Sequence, residues 1–111
     1  MVLQRVKTVF DGRWIESCRY IDYRILDVYA SVSSSFQKFV NCIQRKLFPN
    51  SEVSVSRLTV YWKDCNNSNL IRIVDDKHVS WIMLVISKFP DNDLLVVVDT
   101  VSATELKILR I

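Results

Sequence analysis

The apolar residues of this chain switch between a helical and a strand period, and those switches constrain the fold more than any other feature. In "SVSSSFQKFVNCIQRKLFPN" the residues Phe36, Phe39, Val40, Ile43 and Leu47 fall on one face of a helix, with Gln37, Lys38, Asn41, Arg45 and Lys46 elsewhere around it. A serine among Ser33 to Ser35 can cap the first free amides, and Pro49 with Asn50 ends the helix. On both sides the pattern is that of strands. "LQRVKTVF", "DG" and "RWIE" read as two strands joined by a tight turn, in which Asp11 and Gly12 take positive φ angles. The second strand is expected to run on, with a break, through "RYIDYRILDVY", where Ile21, Tyr23 and Ile25 alternate with Asp22 and Arg24.

Downstream, Leu58, Val60 and Trp62 share one face of a third strand, and "DCNNSN" is a turn because Asp, Asn and Ser bond back to their own backbone. "LIRIV" is a short fourth strand, and "LLVVVDT" is a β-branched fifth strand buried on both faces. Between them, "DDKHVSWIMLVISKF" is apolar enough for either state, but it has a helix start signal. The Asp75 carboxylate can accept from amides two and three residues on and suits the positive end of a helix dipole; Val74 and Val79 are spaced for a hydrophobic staple.

The order strand, strand, helix, strand, strand, helix, strand predicts an α+β domain of the β-grasp, or ubiquitin-like, type, with a mixed sheet of about five strands and two helices. A ferredoxin-like split βαβ arrangement would instead begin with strand then helix. The domain is expected over residues 1–101, followed by a tail at 102–111 in which Ser102 and Glu105 have capping-box spacing. The consecutive apolar residues Trp81 to Ile86 cover more than one side of a helix. Trp81 or Leu84 should therefore stay partly exposed, or be covered by a helical tail.

Composition agrees with one domain. The chain has 111 residues, half of them hydrophobic, and its only glycine is Gly12. That scarcity argues against a glycine-rich phosphate loop or a long flexible linker. No apolar run reaches the length of a membrane span, and "MVLQRVKTVF" lacks the apolar core of a secretory signal, so an intracellular location is expected. Cys18, Cys42 and Cys65 are an odd set at wide spacings, and His78 is the only histidine; the expectation is reduced thiols, with no structural metal and no cofactor. Charge is polarised along the chain. Residues 1–48 carry eight Lys and Arg against four Asp and Glu, whereas residues 64–105 carry three against seven. Such asymmetry bears on association.

"FDGRW", "RYIDYRI", the "SSFQKFVNCIQRKL" helix, "LTVYWK" and "IRIVDDKHVSWIML", in that order, resemble the N-terminal domain of plant Mutator-like (MuDR-type) transposases over roughly Val6 to Thr100. The resemblance implies a Phox/Bem-type β-grasp module, a nuclear setting and pairing with a protein partner or weakly with itself. The family's acidic-triad core and zinc knuckle have no counterpart in these residues, so transposition chemistry does not carry over. Such modules pair front to back. By that likeness the acidic face here is Asp64, Asp75 and Asp76, diluted by Asn66, Asn67 and Asn69, and the basic face is Lys7 with Arg5 and Arg13 assisting.

The residues themselves qualify these assignments. Asp75 reads first as a helix cap. Asp76, one position on, points outward and is the better contact residue. Lys7 should lie opposite Val6, Thr8 and Phe10, where a lysine also guards a strand against aggregation. An accessory DNA-contacting role would use Arg5, Lys7, Arg13, Arg19 and Arg24, but Asp11, Glu16, Asp22 and Asp27 are interspersed and oppose phosphate binding. Pairing of His78 with Cys42 or Cys65 as a nucleophile lacks an orienting third group, so no catalytic site and no small-molecule substrate are expected.

Overall fold

The computed structural model describes residues 2–16, 18–50, 52–62, 70–89 and 93–102. Within them the chain forms β1 (Leu3–Phe10), β2 (Arg13–Ile15), β3 (Arg19–Ile21), β4 (Arg24–Ser31), α1 (Phe36–Leu47), β5 (Val53–Trp62), β6 (Ile71–Ile73), α2 (Asp76–Lys88) and β7 (Leu94–Ser102). Five strands make one mixed sheet in the order β4-β1-β7-β5-β6. The central β1 and β7 are parallel, with Thr8 beside Val96, and the other neighbours are antiparallel. This is an α+β fold with two helices, compatible with the β-grasp arrangement expected from the element order.

Both helices lie on one face. Phe39 and Ile43 from α1 join Val79, Ile82 and Met83 from α2 over Val6, Phe10, Val28, Ala30, Leu58, Val60, Ile73, Leu94, Val96 and Val98 of the sheet. Strand alternation puts these sheet residues on one side, and helical spacing puts the others opposite. Each helix starts on the side chain of its capping residue. The Ser35 hydroxyl accepts from the Lys38 amide at 3.2 Å, and an Asp75 carboxylate oxygen accepts from the His78 amide at 3.0 Å.

The first hairpin differs from expectation. β1 pairs with β4, from Leu3 opposite Ser31 to Phe10 opposite Arg24, while β2 and β3 pair only with each other. The break at Asp22 and Tyr23 therefore separates two strands in different sheets. Asp11 carries the positive φ of the turn, at 59°, and Gly12 does not. What Gly12 supplies is space: a Cβ there would meet the Ile21 carbonyl oxygen at 2.5 Å and the Tyr20 ring at 2.9 Å.

That small hairpin covers the second face of the sheet. Tyr20 is buried with Val9, Tyr61, Leu95 and Val97, and Trp14 and Tyr23 pack around them. The Tyr20 ring lies 5.1 Å from Trp14 and stacks on Tyr23 at 5.7 Å. This second core explains why Thr59 and Tyr61 are buried alongside Leu58 and Val60, and why Leu94 to Val98 are buried without interruption. Trp14 Nε1 donates to Asp99 at 3.1 Å, and Asp99 also pairs with Arg57 at 3.1 Å, which fastens the hairpin to β7 and β5.

On α2, Leu84 is 52% exposed, and Trp81 is half-buried edge-on to Trp62. Val74, which precedes the Asp75 cap, is 60% exposed, and its amide donates to His78 Nδ1 at 3.1 Å. Ser102 is the last strand residue, opposite Val53. The tail helix proposed beyond it, and the turn containing Asp64 and Cys65, lie outside the described residues.

Candidate functional site: two charged faces

The expected acidic residues sit where β6 hands over to α2. Asp75 and Asp76 are both exposed, beside the exposed Val74. Neither carboxylate is idle. Asp75 caps α2, and an Asp76 oxygen accepts from the Phe36 amide, the first of α1, at 2.6 Å. The two helices thus begin side by side, with Ser35 and Asp76 satisfying different amides of α1 and Asp75 satisfying α2. Ser35, Phe36, Gln37, Val74, Asp75, Asp76 and Lys77 line an open depression there of about 610 Å³. The sequence could not expose the Asp76 bond, because its partner is forty residues away in the chain.

His78 belongs to this turn. Its Nδ1 accepts the Val74 amide, so the 3.3 Å approach of the same nitrogen to Asp75 is not a donated hydrogen bond while the ring is neutral. Cys42 lies on α1 and donates its thiol to the Tyr29 carbonyl of β4 at 3.3 Å. His78 and Cys42 are thus committed to different neighbours, in the first turn of α2 and at the edge strand β4 respectively. Among the described residues, no three His, Cys, Asp or Glu side chains gather as metal ligands, and no helix is long and apolar enough to cross a membrane.

The expected basic residues lie at the other end of the sheet. Arg5 and Lys7 belong to the odd-numbered side of β1, facing away from the helices, opposite Tyr29 and Asp27 of β4 respectively. Arg5 is exposed and Lys7 half-buried, and neither makes an ion pair with a described residue. Arg13 is different: it stands on β2 and pairs with Asp22 at 3.1 Å. Arg24 similarly approaches Asp11 at 3.7 Å while lying over the Phe10 ring at 5.6 Å. Two of the five cations suggested for DNA are therefore already matched with carboxylates. Arg19 is exposed on β3, in the separate hairpin.

The charge asymmetry of the sequence thus becomes spatial. β4 and β1, with α1 against β4, carry Arg5, Lys7, Arg24, Lys38, Arg45 and Lys46 against Asp27. At the opposite edge Asp75 and Asp76 stand beside the equally exposed Arg72 and Lys77, so that edge bears carboxylates without being net negative. Comparison with protein-family models, curated proteins and solved structures finds no match to this chain.

Proposed function

We propose that this domain is a non-catalytic protein-interaction module that pairs front to back, its carboxylate edge meeting a basic face on a partner or on another copy. The observation that carries the reading is that the exposed Asp75 and Asp76, with Val74 exposed beside them, stand at one edge of the sheet while Arg5 and Lys7 stand near the other. Arg72 and Lys77 beside the carboxylates limit the net charge of that edge. Arg5 and Lys7 serve as the basic face; Arg13, tied to Asp22, assists only by exchanging that partner. Asp75 and Asp76 serve as the acidic face, to which Asp64 is assigned by the resemblance alone. In keeping with the resemblance, the module would belong to a transposase-derived protein of the nucleus.

Exposed ion pairs contribute only about 0–1 kcal/mol each, so self-association no tighter than roughly tens of micromolar is expected, and salt should weaken it. Sedimentation across protein and salt concentration tests this. Concentration-dependent association that weakens with salt supports the reading. Wild-type protein that stays monomeric at low salt, with no charged partner bound at either face, contradicts it. Binding to duplex DNA with a steep salt dependence, lost on neutralising Arg5 and Lys7, would favour the DNA-contacting alternative.

A further inference from the structure

β4 ends the sheet. Among the described residues no strand lies on its outer side, and its eight residues contain no proline. Which of its backbone groups face outward follows from the ladder. The Val32 amide donates to the Val2 carbonyl at 3.2 Å, which makes Val2 and Val32 a hydrogen-bonded pair continuing the β1–β4 register. In an antiparallel ladder such pairs alternate. The even-numbered residues of β4 therefore bond to β1, and the amides and carbonyls of Ile25, Asp27 and Tyr29 point away from it. The Tyr29 carbonyl agrees, since it accepts the Cys42 thiol from α1.

Exposed edges are usually blunted by charge, proline or a bulge. β4 carries Arg24 and Asp27 but no proline and no bulge; its register is regular, and Ile25 and Tyr29, which flank Asp27 on the side away from the helices, are each 56% exposed. On the other side, a groove of about 540 Å³ runs between β4 and α1, lined by Ala30, Ser34, Lys38, Asn41, Cys42 and Arg45 among others. All the formal charge on α1 is positive: Lys38, Arg45 and Lys46, with no acidic residue.

We infer that the β4 edge, with the cationic flank of α1, is a docking site for an extended acidic peptide, which adds to the sheet as a further strand. Its backbone would pair with Ile25, Asp27 and Tyr29. Alternate side chains would fall on the two faces, acidic ones towards Lys38 and Arg45 and apolar ones over Ile25 and Tyr29. A second copy of the chain is a poorer occupant, because edge-to-edge pairing of β4 would bring two α1 helices of like charge alongside the same junction. This surface is separate from the Asp75 and Asp76 edge, at the opposite end of the strand order.

The probe is an end-blocked peptide of alternating valine and glutamate, about eight residues long to match β4, compared with its valine–lysine counterpart. Amide exchange by NMR reads the contact. The inference expects the glutamate peptide alone to slow exchange at Ile25, Asp27 and Tyr29, with little change at Leu26 and Val28, which are already bonded to β1. Asp27→Pro removes an outward-facing donor without costing a bond to β1, so it should abolish binding in a folded protein. The double change Lys38→Glu with Arg45→Glu should weaken binding at least tenfold, and normal amide dispersion would show that each variant folds. Equal binding of the lysine peptide, unchanged binding by either variant, or protection at β6 instead of β4 would overturn the inference. Concentration-dependent protection of β4 without peptide would overturn it in favour of a second copy.

Discussion

At the residue scale, Gly12 and Tyr20 depend on each other. The Gly12 amide donates to the Tyr20 hydroxyl at 2.8 Å, and the Tyr20 ring occupies the space a side chain at position 12 would need. Gly12→Ala should therefore destabilise the domain by about 1–3 kcal/mol, the usual range for overpacking, measured by urea denaturation. A change well under that would mean the turn yields freely. Tyr20 also gives the fold a pH dependence. Burial, chiefly, pushes its phenol above the ordinary value of 10.0, because the phenolate is the form that burial disfavours; Asp99 and Asp11 push the same way, while the Gly12 hydrogen bond opposes them. With the folded value raised, its contribution is fully present below the ordinary tyrosine range and is lost as pH rises above it towards the folded value. Denaturation at increasing alkalinity should show this loss, and Tyr20→Phe should make the alkaline slope shallower.

At the element scale, the β2–β3 hairpin and the paired helix starts hold the architecture together through single carboxylates. Asp99→Ala would strand the Trp14 indole N–H and the Arg57 guanidinium, costing about 1.5–3 kcal/mol for hydrogen bonds to a charged group. Tryptophan emission from Trp14 should shift to the red as the hairpin loosens. Asp76 is a sharper case, since its contact role and its structural role can be separated. Asp76→Asn keeps an oxygen for the Phe36 amide and should cost little, whereas Asp76→Ala should cost about 0.5–2 kcal/mol, as for a lost helix cap. Equal melting of the two variants would count against the α1–α2 tie.

The elements themselves were legible because period and caps are local: the α1 stripe, the Asp75 cap, the doubly buried β7 and the exposed Leu84 all follow from neighbours in sequence. Pairing was less so. Nothing local to "VFDGRWIE" says that β1 skips to β4, since a tight turn and a strand break look alike until the Tyr20, Trp14 and Tyr61 rings pack against the second face. Ile25 illustrates the result: its alternation with Arg24 suggested a buried side, yet it lies 56% exposed on the edge strand β4. The candidate site divided in the same way. The residue types were legible, but the Asp76 bond to α1 and the Arg13 bond to Asp22 depend on tertiary placement.

At the scale of the whole molecule, Asp75 and Asp76 stand at one edge of the sheet, where β6 meets α2, and Arg5 and Lys7 stand near the other, on β1. A front-to-back contact is heterologous, so each copy can use both faces and chains of molecules can grow. The most direct measurement is sedimentation of two complementary variants, alone and mixed. Asp64→Asn with Asp75→Asn and Asp76→Asn keeps the cap oxygens at 75 and 76 but removes all three acidic charges; Arg5→Glu with Lys7→Glu removes the basic face. Each variant alone should be monomeric, because one face is missing. An equimolar mixture should give a dimer that grows no further, the intact basic face of the first meeting the intact acidic face of the second. Association of either variant alone at wild-type strength, or a monomeric mixture under conditions where the wild type associates, would contradict the account.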